Sequence, residues 1–329
     1  MKKWFSAFIA VGLVAGTCSA AQIYFNASIT NDFSYKGAWF TDTGFTTPVT
    51  DFTASHILNF RNTTAANPII IDSAWASTFT FQSGGKSMLG GLTFQNNIGP
   101  TYGVLKSGTS LFTGNVQIGG NTGNVAPFRG NLTIESGADL QIAGNNSFNL
   151  GNGQNGMGVV TIQSGATVAL QHLYFGNKGQ LNLQIGADWK TITMNRAAGI
   201  NWEMDGALVL DIASAVADGN DIVLFSVSAT SGYAGMTGAL TNLFDASGVI
   251  SGTGNGTFGA DVYATGTSGV QEDFLGKNLN ITGAEGKEWT LTYNGDALIL
   301  NVSPVPEPGT SVLMLISVTG IIAVRRFRR

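Results

Sequence analysis

The stretch Leu132-Thr133-Ile134-Glu135-Ser136-Gly137 decides the fold, because it returns as Val160-Thr161-Ile162-Gln163-Ser164-Gly165. Apolar and polar residues alternate in both copies, a pattern that is typical of a β-strand with one buried face. The Ser-Gly pair that follows supplies residues that favour a turn. One such unit cannot bury its apolar face, whereas stacked units form a continuous core.

This phrase recurs along the middle of the chain, and a second phrase falls between its copies. The second phrase is an apolar residue followed by Gly-Asn, as in Leu150-Gly151-Asn152 and Phe175-Gly176-Asn177. Further copies of the first phrase are Phe79-Thr80-Phe81-Gln82-Ser83-Gly84, Val104-Leu105-Lys106-Ser107-Gly108, which lacks the alternation, and Leu181-Asn182-Leu183-Gln184-Ile185-Gly186, in which Ile185 replaces serine. Repeats of roughly 20–30 residues with short strands are typical of a solenoid. We therefore predict an all-β fold with a right-handed parallel β-helix over residues 76–205; a β-sandwich is the alternative.

The segments that flank the repeats differ from them in composition. Residues 21–75 are rich in aromatic residues and threonine, and we predict an N-terminal β cap there, with an aromatic platform for carbohydrate as the alternative. Residues 206–302 predict a C-terminal β region with antiparallel pairing. Its predicted parts are strands at 206–211 and 221–225, a loop or insertion at the Gly- and Ser-rich stretch 247–258, and a hairpin at 288–302 that turns at Asn294-Gly295-Asp296.

The composition excludes several classes of protein. Charged residues make up 11% of the chain, against about 25% in ordinary globular domains. Many of the basic residues lie at the two ends, so the segment between them has an excess of acidic residues and offers no basic footprint for nucleic acid. The one cysteine, Cys18, lies in a predicted export signal, so we expect neither a disulfide framework nor a thiolate metal site.

Residues 1–20 have the three parts of a secretory signal peptide. Lys2-Lys3 provides the positive start, residues 5–14 form a short apolar stretch, and Cys18-Ser19-Ala20 places small residues before a cleavage site. We therefore predict export by the secretion machinery and cleavage after Ala20. A lipoprotein signal at Cys18 is the alternative.

The C-terminal residues 303–329 also have three parts. The prolines of Pro306-Glu307-Pro308 disfavour a helix and keep Glu307 extended. The apolar run 312–324 predicts a short transmembrane helix, too short to cross a core of about 30 Å comfortably without thinning of the bilayer or help from flanking residues. The chain then stops at a basic cluster that would hold this end on the cytoplasmic side. The cluster consists of Arg325, Arg326, Arg328 and Arg329. A plain C-terminal membrane anchor is the alternative.

This order of parts resembles the PEP-CTERM sorting tail of Gram-negative bacteria. In that family an exosortase, a membrane enzyme similar to a transpeptidase, recognises the tail, and the proteins are common in genomes that make extracellular polysaccharide. The resemblance implies that Pro306, Glu307, Pro308 and the four arginines are the sorting and processing residues. It also implies a protein that is held transiently in the inner membrane and then reaches the outer surface or the extracellular space. The predicted hairpin resembles the end of autotransporter-like passenger proteins with this tail.

Residues that could perform catalysis are scarce. The two histidines, His56 and His172, have no recognisable nucleophile motif beside them, and His172 fits the wall of a solenoid. The close acidic pairs are Glu203 with Asp205 and Asp218 with Asp221. We therefore predict no enzymatic activity, no cofactor and no metal site, and a structural or adhesive role associated with extracellular polysaccharide. A polysaccharide-active β-helix lyase or hydrolase, with Glu203 and Asp205 as its acids, is the alternative.

Overall fold

A computed structural model describes residues 22–305 with gaps. The segments that it does not describe within this range are 31–34, 51–55, 62–67, 72–81, 84–85, 90, 95–100, 113, 120–128, 152–156, 177, 196–201, 213–215, 217–218, 229–234 and 263–276. The described part consists mainly of β-strands, and its two helices are short 3₁₀ helices at Lys36–Ala38 and Ala239–Leu243.

The strands are numbered along the chain. They are β1 (Gln22–Asn26), β2 (Trp39–Phe40), β3 (Ile57–Arg61), β4 (Ile69–Ile71), β5 (Gln82–Ser83), β6 (Lys86–Leu89), β7 (Gly91–Phe94), β8 (Thr101–Leu105), β9 (Gly108–Phe112), β10 (Val116–Ile118), β11 (Arg129–Ile134), β12 (Ala138–Ile142), β13 (Ser147–Leu150), β14 (Met157–Gln163), β15 (Thr167–Leu170), β16 (His172–Phe175), β17 (Gly179–Ile185), β18 (Ile192–Met194), β19 (Trp202–Met204), β20 (Ala207–Ile212), β21 (Asp221–Val227), β22 (Met236–Thr237), β23 (Val249–Thr253), β24 (Gly256–Asp261), β25 (Lys277–Thr282), β26 (Lys287–Tyr293) and β27 (Ala297–Pro304).

Three sheets run the length of the body, and successive strands visit them in turn. The first sheet has the order β2-β1-β3-β7-β10-β13-β16-β19-β22, the second β24-β25-β20-β17-β14-β11-β8-β4, and the third β23-β26-β27-β21-β18-β15-β12-β9-β6-β5. One strand from each sheet makes a coil, and strands of neighbouring coils pair in parallel, as β11 does with β14 and β14 with β17. The prediction of a parallel β-solenoid is therefore confirmed, and the β-sandwich is excluded.

The repeated phrase builds the core of the second sheet. Leu132 pairs with Val160 and Val160 with Leu181, and two residues later Ile134, Ile162 and Leu183 form the same kind of row. All six side chains are buried. The alternating partners, such as Thr133 and Thr161, point outward and are half-buried. A period of two residues thus separates a continuous apolar core from a polar surface in each coil.

The Ser-Gly pairs form the corner between the second and third sheets. Gly137 and Gly165 both have a φ of 86°, which a residue with a side chain rarely adopts. These corners stack on each other, since the Gly137 N–H donates to the Gly165 carbonyl at 3.3 Å. The prediction that Ser-Gly ends each strand with a turn is confirmed for these copies.

The Gly-Asn phrase marks the corner between the first and second sheets. The Gly151 N–H donates to the Ile118 carbonyl of the preceding coil at 2.9 Å, and the Gly176 N–H donates to Leu150 in the same way at 3.0 Å. The coils are so close here that a Cβ on Gly158 would lie 2.1 Å from the Ile118 oxygen. Glycine is required at this corner because the backbone of one coil fills the space of a side chain on the next.

The earliest copy of the phrase does not form an equivalent unit. Gln82–Ser83 is an edge strand of the third sheet and pairs antiparallel with β6, whereas the later copies lie in the second sheet. Phe79, Thr80, Phe81 and Gly84 lie outside the described residues. Sequence similarity alone therefore misassigned this segment, because an end strand has no preceding coil to fix its register.

The N-terminal segment covers one end of the solenoid. β1 pairs in parallel with β3 and antiparallel with β2. Phe25 and Trp39 are fully buried, with ring centroids 5.1 Å apart in an edge-to-face contact. The alternative of an aromatic carbohydrate platform fails for these two rings and for the buried Phe40, because they close the open end of the core instead of facing solvent.

The C-terminal segment combines parallel and antiparallel pairing. β20 and β25 continue the parallel second sheet beyond residue 205, as far as Thr282. The predicted hairpin is confirmed, since β26 pairs antiparallel with β27 across Asn294-Gly295-Asp296. The stretch 247–258 was wrongly expected to be a loop or insertion. It contains β23 and the start of β24, because these strands find antiparallel partners in β26 and β25.

Candidate functional site

The predicted sorting and processing residues cannot be placed in the fold. Ala20, Pro306, Glu307, Pro308, Arg325, Arg326, Arg328 and Arg329 all lie outside the described residues. The described chain reaches Val305, whose N–H donates to the Gly286 carbonyl at 3.0 Å. Within that described part, no helix has the length and apolarity to cross a membrane.

The predicted acidic pair lies where the first sheet meets the C-terminal cap. Glu203 is half-buried on β19 and is the register partner of Tyr174 on β16. Asp205 accepts a hydrogen bond from the Ala239 N–H at 2.9 Å, so its carboxylate holds the first residue of a 3₁₀ helix. The Asp205 carboxylate therefore contributes to the position of this 3₁₀ helix.

The pKa of Tyr174 depends on its burial and on the charges of Glu203 and Asp205. Burial raises the pKa of the Tyr174 phenol above its usual value, and the negative charges of Glu203 and Asp205 raise this pKa further. Both causes favour the neutral phenol over tyrosinate. The pKa of Tyr174 is higher in the folded than in the unfolded state, so protonation of its phenol contributes to the free energy of unfolding. This contribution is present below the unfolded-state pKa and is lost as the pH rises through the folded-state pKa.

We expect Glu203→Gln to lower the pKa of Tyr174 only in part, since burial is the larger cause and remains. Tyrosinate absorbance during an alkaline titration, with Tyr174→Phe subtracted, measures this shift. Glu135→Gln, which removes a half-buried acid at another corner, is the matched control and should leave the titration unchanged. An unchanged titration in the Glu203 variant would show that the two groups do not interact.

The remaining candidates for chemistry are dispersed along the solenoid. His172 opens β16, and its Nδ1 lies 3.1 Å from the Ser147 Oγ of the neighbouring coil. Asp139 accepts hydrogen bonds from Thr109 at 2.8 Å and from Gln141 at 2.9 Å. Across the described residues, no group of three His, Cys, Asp or Glu side chains is placed to hold a metal ion.

Uncharged polar side chains form rows across the coils; two members, Gln180 and Asn149, are buried, and the others are half-buried. On the second sheet, Gln180 donates to Asn182 at 2.8 Å, and Asn182 donates across the coils to Thr161 at 3.1 Å. On the first sheet, the register aligns Gln117, Asn149 and Tyr174. Amides and hydroxyls both donate and accept hydrogen bonds, so the half-buried members of these rows suit a partner that is itself rich in hydroxyl groups.

A recess interrupts the regular corner between the second and third sheets. The corners at 135–137 and 164–166 are tight, whereas 186–191 and the segment between β20 and β21 are longer. They leave a cavity of about 380 Å³. Its lining includes Trp189, Thr191, Val216, Asn220, Asp221 and Ile222.

Neither family models, curated proteins nor solved structures give a match. The likeness to a sorting tail therefore rests on the C-terminal residues themselves, and the body has to be interpreted from its own geometry.

Sequence reasoning missed the recess. One signal was available: the copy of the phrase that ends at Gly186 replaces serine with Ile185, and a tryptophan follows it. The apolar Ile185 is buried in β17, and the turn residues are displaced along the chain. The other described lining residues come from the next coil and could not be paired with Trp189 without the register; they are Val216, Asn220, Asp221, Ile222 and Val223.

Proposed function

We propose that this chain is an exported protein, sorted through its C-terminal tail, whose solenoid has a structural or adhesive role associated with extracellular polysaccharide. The observation that carries the proposal is the order of parts at the C-terminus: Pro306-Glu307-Pro308, an apolar run and four arginines. An N-terminal signal peptide ending at Ala20 accompanies it. The implied partners are the secretion machinery and an exosortase-type processing enzyme in the inner membrane.

The solenoid supports a role that depends on surface and not on a catalytic centre. Its coils present rows of Thr, Asn and Gln that extend over several strands, and a repeated surface suits a repeated polymer. The carboxylates of Asp139 and Asp205 accept hydrogen bonds from neighbouring side-chain and backbone groups. We therefore propose binding without turnover.

Fractionation of a doubly tagged protein in its native host tests the sorting. One tag is inserted in the body, and the other follows Arg329. We expect the body tag at the outer surface or in the medium without the C-terminal tag, because processing separates them. In Glu307→Ala we expect at least a tenfold loss of this surface fraction and accumulation of the full-length chain in the inner membrane.

Glu288→Ala is the control, because it removes an exposed acid from the folded body and leaves the tail intact. It should fractionate like the unaltered protein. A cytoplasmic protein that keeps both ends would refute the proposal, and so would normal sorting of the Glu307 variant.

A further inference from the structure

We propose that the recess beside Trp189 binds a neutral sugar unit, with the indole against the apolar face of a pyranose ring and Asp221 and Asn220 on its hydroxyl groups. This inference rests on the adhesive role proposed above and specifies its ligand class. It assigns recognition to one corner of the solenoid, in addition to the polar rows on its faces.

The corner segments at the recess are longer than the corresponding segments of the neighbouring coils, which bury the core with short turns. The neighbouring corners close with short Ser-Gly turns, which bury the core completely at Ile134 and Ile162. At the next two corners along the sheets, residues 186–191 and the connection between Ile212 and Asp221 are longer in sequence, and their described residues line a concave surface. Extra residues in solenoid repeats map to loops on one face, which is often the binding face. Its volume of about 380 Å³ lies within the range of roughly 300–1,000 Å³ for small-molecule sites.

Trp189 is held in a fixed orientation before any ligand arrives. Its Nε1–H donates to the Val223 carbonyl of the next coil at 3.1 Å, and the half-buried ring packs against the hydrophobic core. A fixed ring loses little conformational entropy on binding. An indole presents a broad apolar face with a polar edge, and a pyranose ring combines an apolar C–H face with a rim of hydroxyls.

The opposite side of the recess is polar and also ordered. One carboxylate oxygen of Asp221 accepts a hydrogen bond from Asn301 Nδ2 at 3.0 Å, which orients the carboxylate while the side chain stays exposed. An ionised carboxylate only accepts hydrogen bonds, and such charge-assisted bonds from hydroxyl groups are strong. The exposed Asn220 amide beside it can both donate and accept.

The lining argues against other classes of ligand. No lysine, arginine or histidine is among the described residues that line the recess, and the Asp221 carboxylate repels anions. A calcium ion takes six to eight oxygen ligands, whereas the described lining residues include one acid, Asp221. An extended apolar ligand would leave Asn220 and Asp221 without hydrogen bonds from solvent. A neutral, hydroxyl-rich ring satisfies both sides of the recess.

Titration calorimetry on the full-length chain tests this assignment, in a detergent whose headgroup contains no sugar. The probes are cellobiose, maltose, mannobiose and N,N′-diacetylchitobiose. We expect at least one of them to bind with a dissociation constant on the order of 1 mM. Trp189→Ala should weaken this binding at least tenfold, while Trp189→Phe, which retains a flat ring, should weaken it less.

Ala187→Phe keeps the test valid if the tryptophan variant does not fold. Ala187 is exposed at the recess, so a larger side chain fills the space without removing an existing contact. This variant should lose the binding and keep the unfolding midpoint, whereas Glu135→Gln, at the corner 135–137 and outside both the recess and the polar rows, should bind normally. Absence of binding for all four probes, or unchanged binding by Ala187→Phe, would overturn the inference.

Cosedimentation with the host's own polysaccharide separates this inference from the adhesive role. If Ala187→Phe still cosediments fully, the recess does not contribute to polymer binding, which overturns the inference, and the adhesive role then rests on the polar rows. If the unaltered chain does not cosediment, the adhesive role fails, and the inference fails with it.

Discussion

Replacement of Gly158 by alanine is expected to lower the free energy of unfolding by about 3 kcal/mol or more, at the upper end for overpacking. The added Cβ would lie 2.1 Å from the Ile118 oxygen and 2.7 Å from the Gly151 nitrogen. Both are backbone atoms, which cannot rotate aside as a side chain would. The Gly158 N–H also donates to the Lys178 carbonyl at 3.2 Å, so a shift away from Ile118 disturbs the next coil.

Gly137→Ala is the matched control for this experiment. Gly137 has a φ of 86°, but no atom lies within 4 Å of an added Cβ. The control therefore carries only the cost of the left-handed conformation, about 1–2 kcal/mol. Urea unfolding of both variants gives the comparison. Equal unfolding midpoints would show that the coils are not closely packed at the corner between the first and second sheets.

Truncation of Trp289 to alanine should cost about 3–5 kcal/mol, as expected for a large aromatic residue in a core. The indole is 1% exposed, and its Nε1–H donates to the Gly254 carbonyl at 3.1 Å. It also contacts Phe258 edge-to-face, with ring centroids 5.2 Å apart. Loss of the ring therefore weakens both β23 and β24, the edge strands that close this end of the solenoid.

Aggregation should accompany this loss of stability, because an uncovered sheet edge offers unpaired backbone groups to other chains. Light scattering after mild heating, together with urea unfolding, measures both effects. Glu288→Ala changes the adjacent, exposed residue of the same strand and should alter neither. If the Trp289 variant unfolds and scatters like the Glu288 variant, the aromatic cluster does not hold the cap in place.

The core of the solenoid was predictable because its signal is local. Leu132 and Ile134 alternate with polar residues, and the Ser-Gly that follows specifies where the strand ends. The same holds for the closing hairpin, in which both arms alternate around Asn294-Gly295. The alternation of apolar and polar residues and the turn residues are sufficient to predict a strand wherever that strand stacks on a similar unit.

The ends and the candidate site were less predictable, because they depend on distant partners. Gln82-Ser83 carries the repeated phrase, but it pairs antiparallel at an edge where no preceding coil exists. The hydrogen bond that Asp205 accepts from the Ala239 N–H could not be foreseen either, because Ala239 lies far along the chain. Trp189 and Asp221 are likewise brought together only by the stacking of two coils. Sequence spacing does not encode such contacts unless the register is known.

The position of β27 determines how the body would respond to mechanical load. This strand lies inside the third sheet, between β26 and β21, and both neighbours run antiparallel to it. The polypeptide passes from β27 through Val305 directly to Pro306. A force along the axis of β27 would act in a shear geometry, which strains the hydrogen bonds on both sides together instead of opening them one at a time. Resistance to pulling is governed by the rate of unfolding, so a tethered body of this design would yield slowly under force.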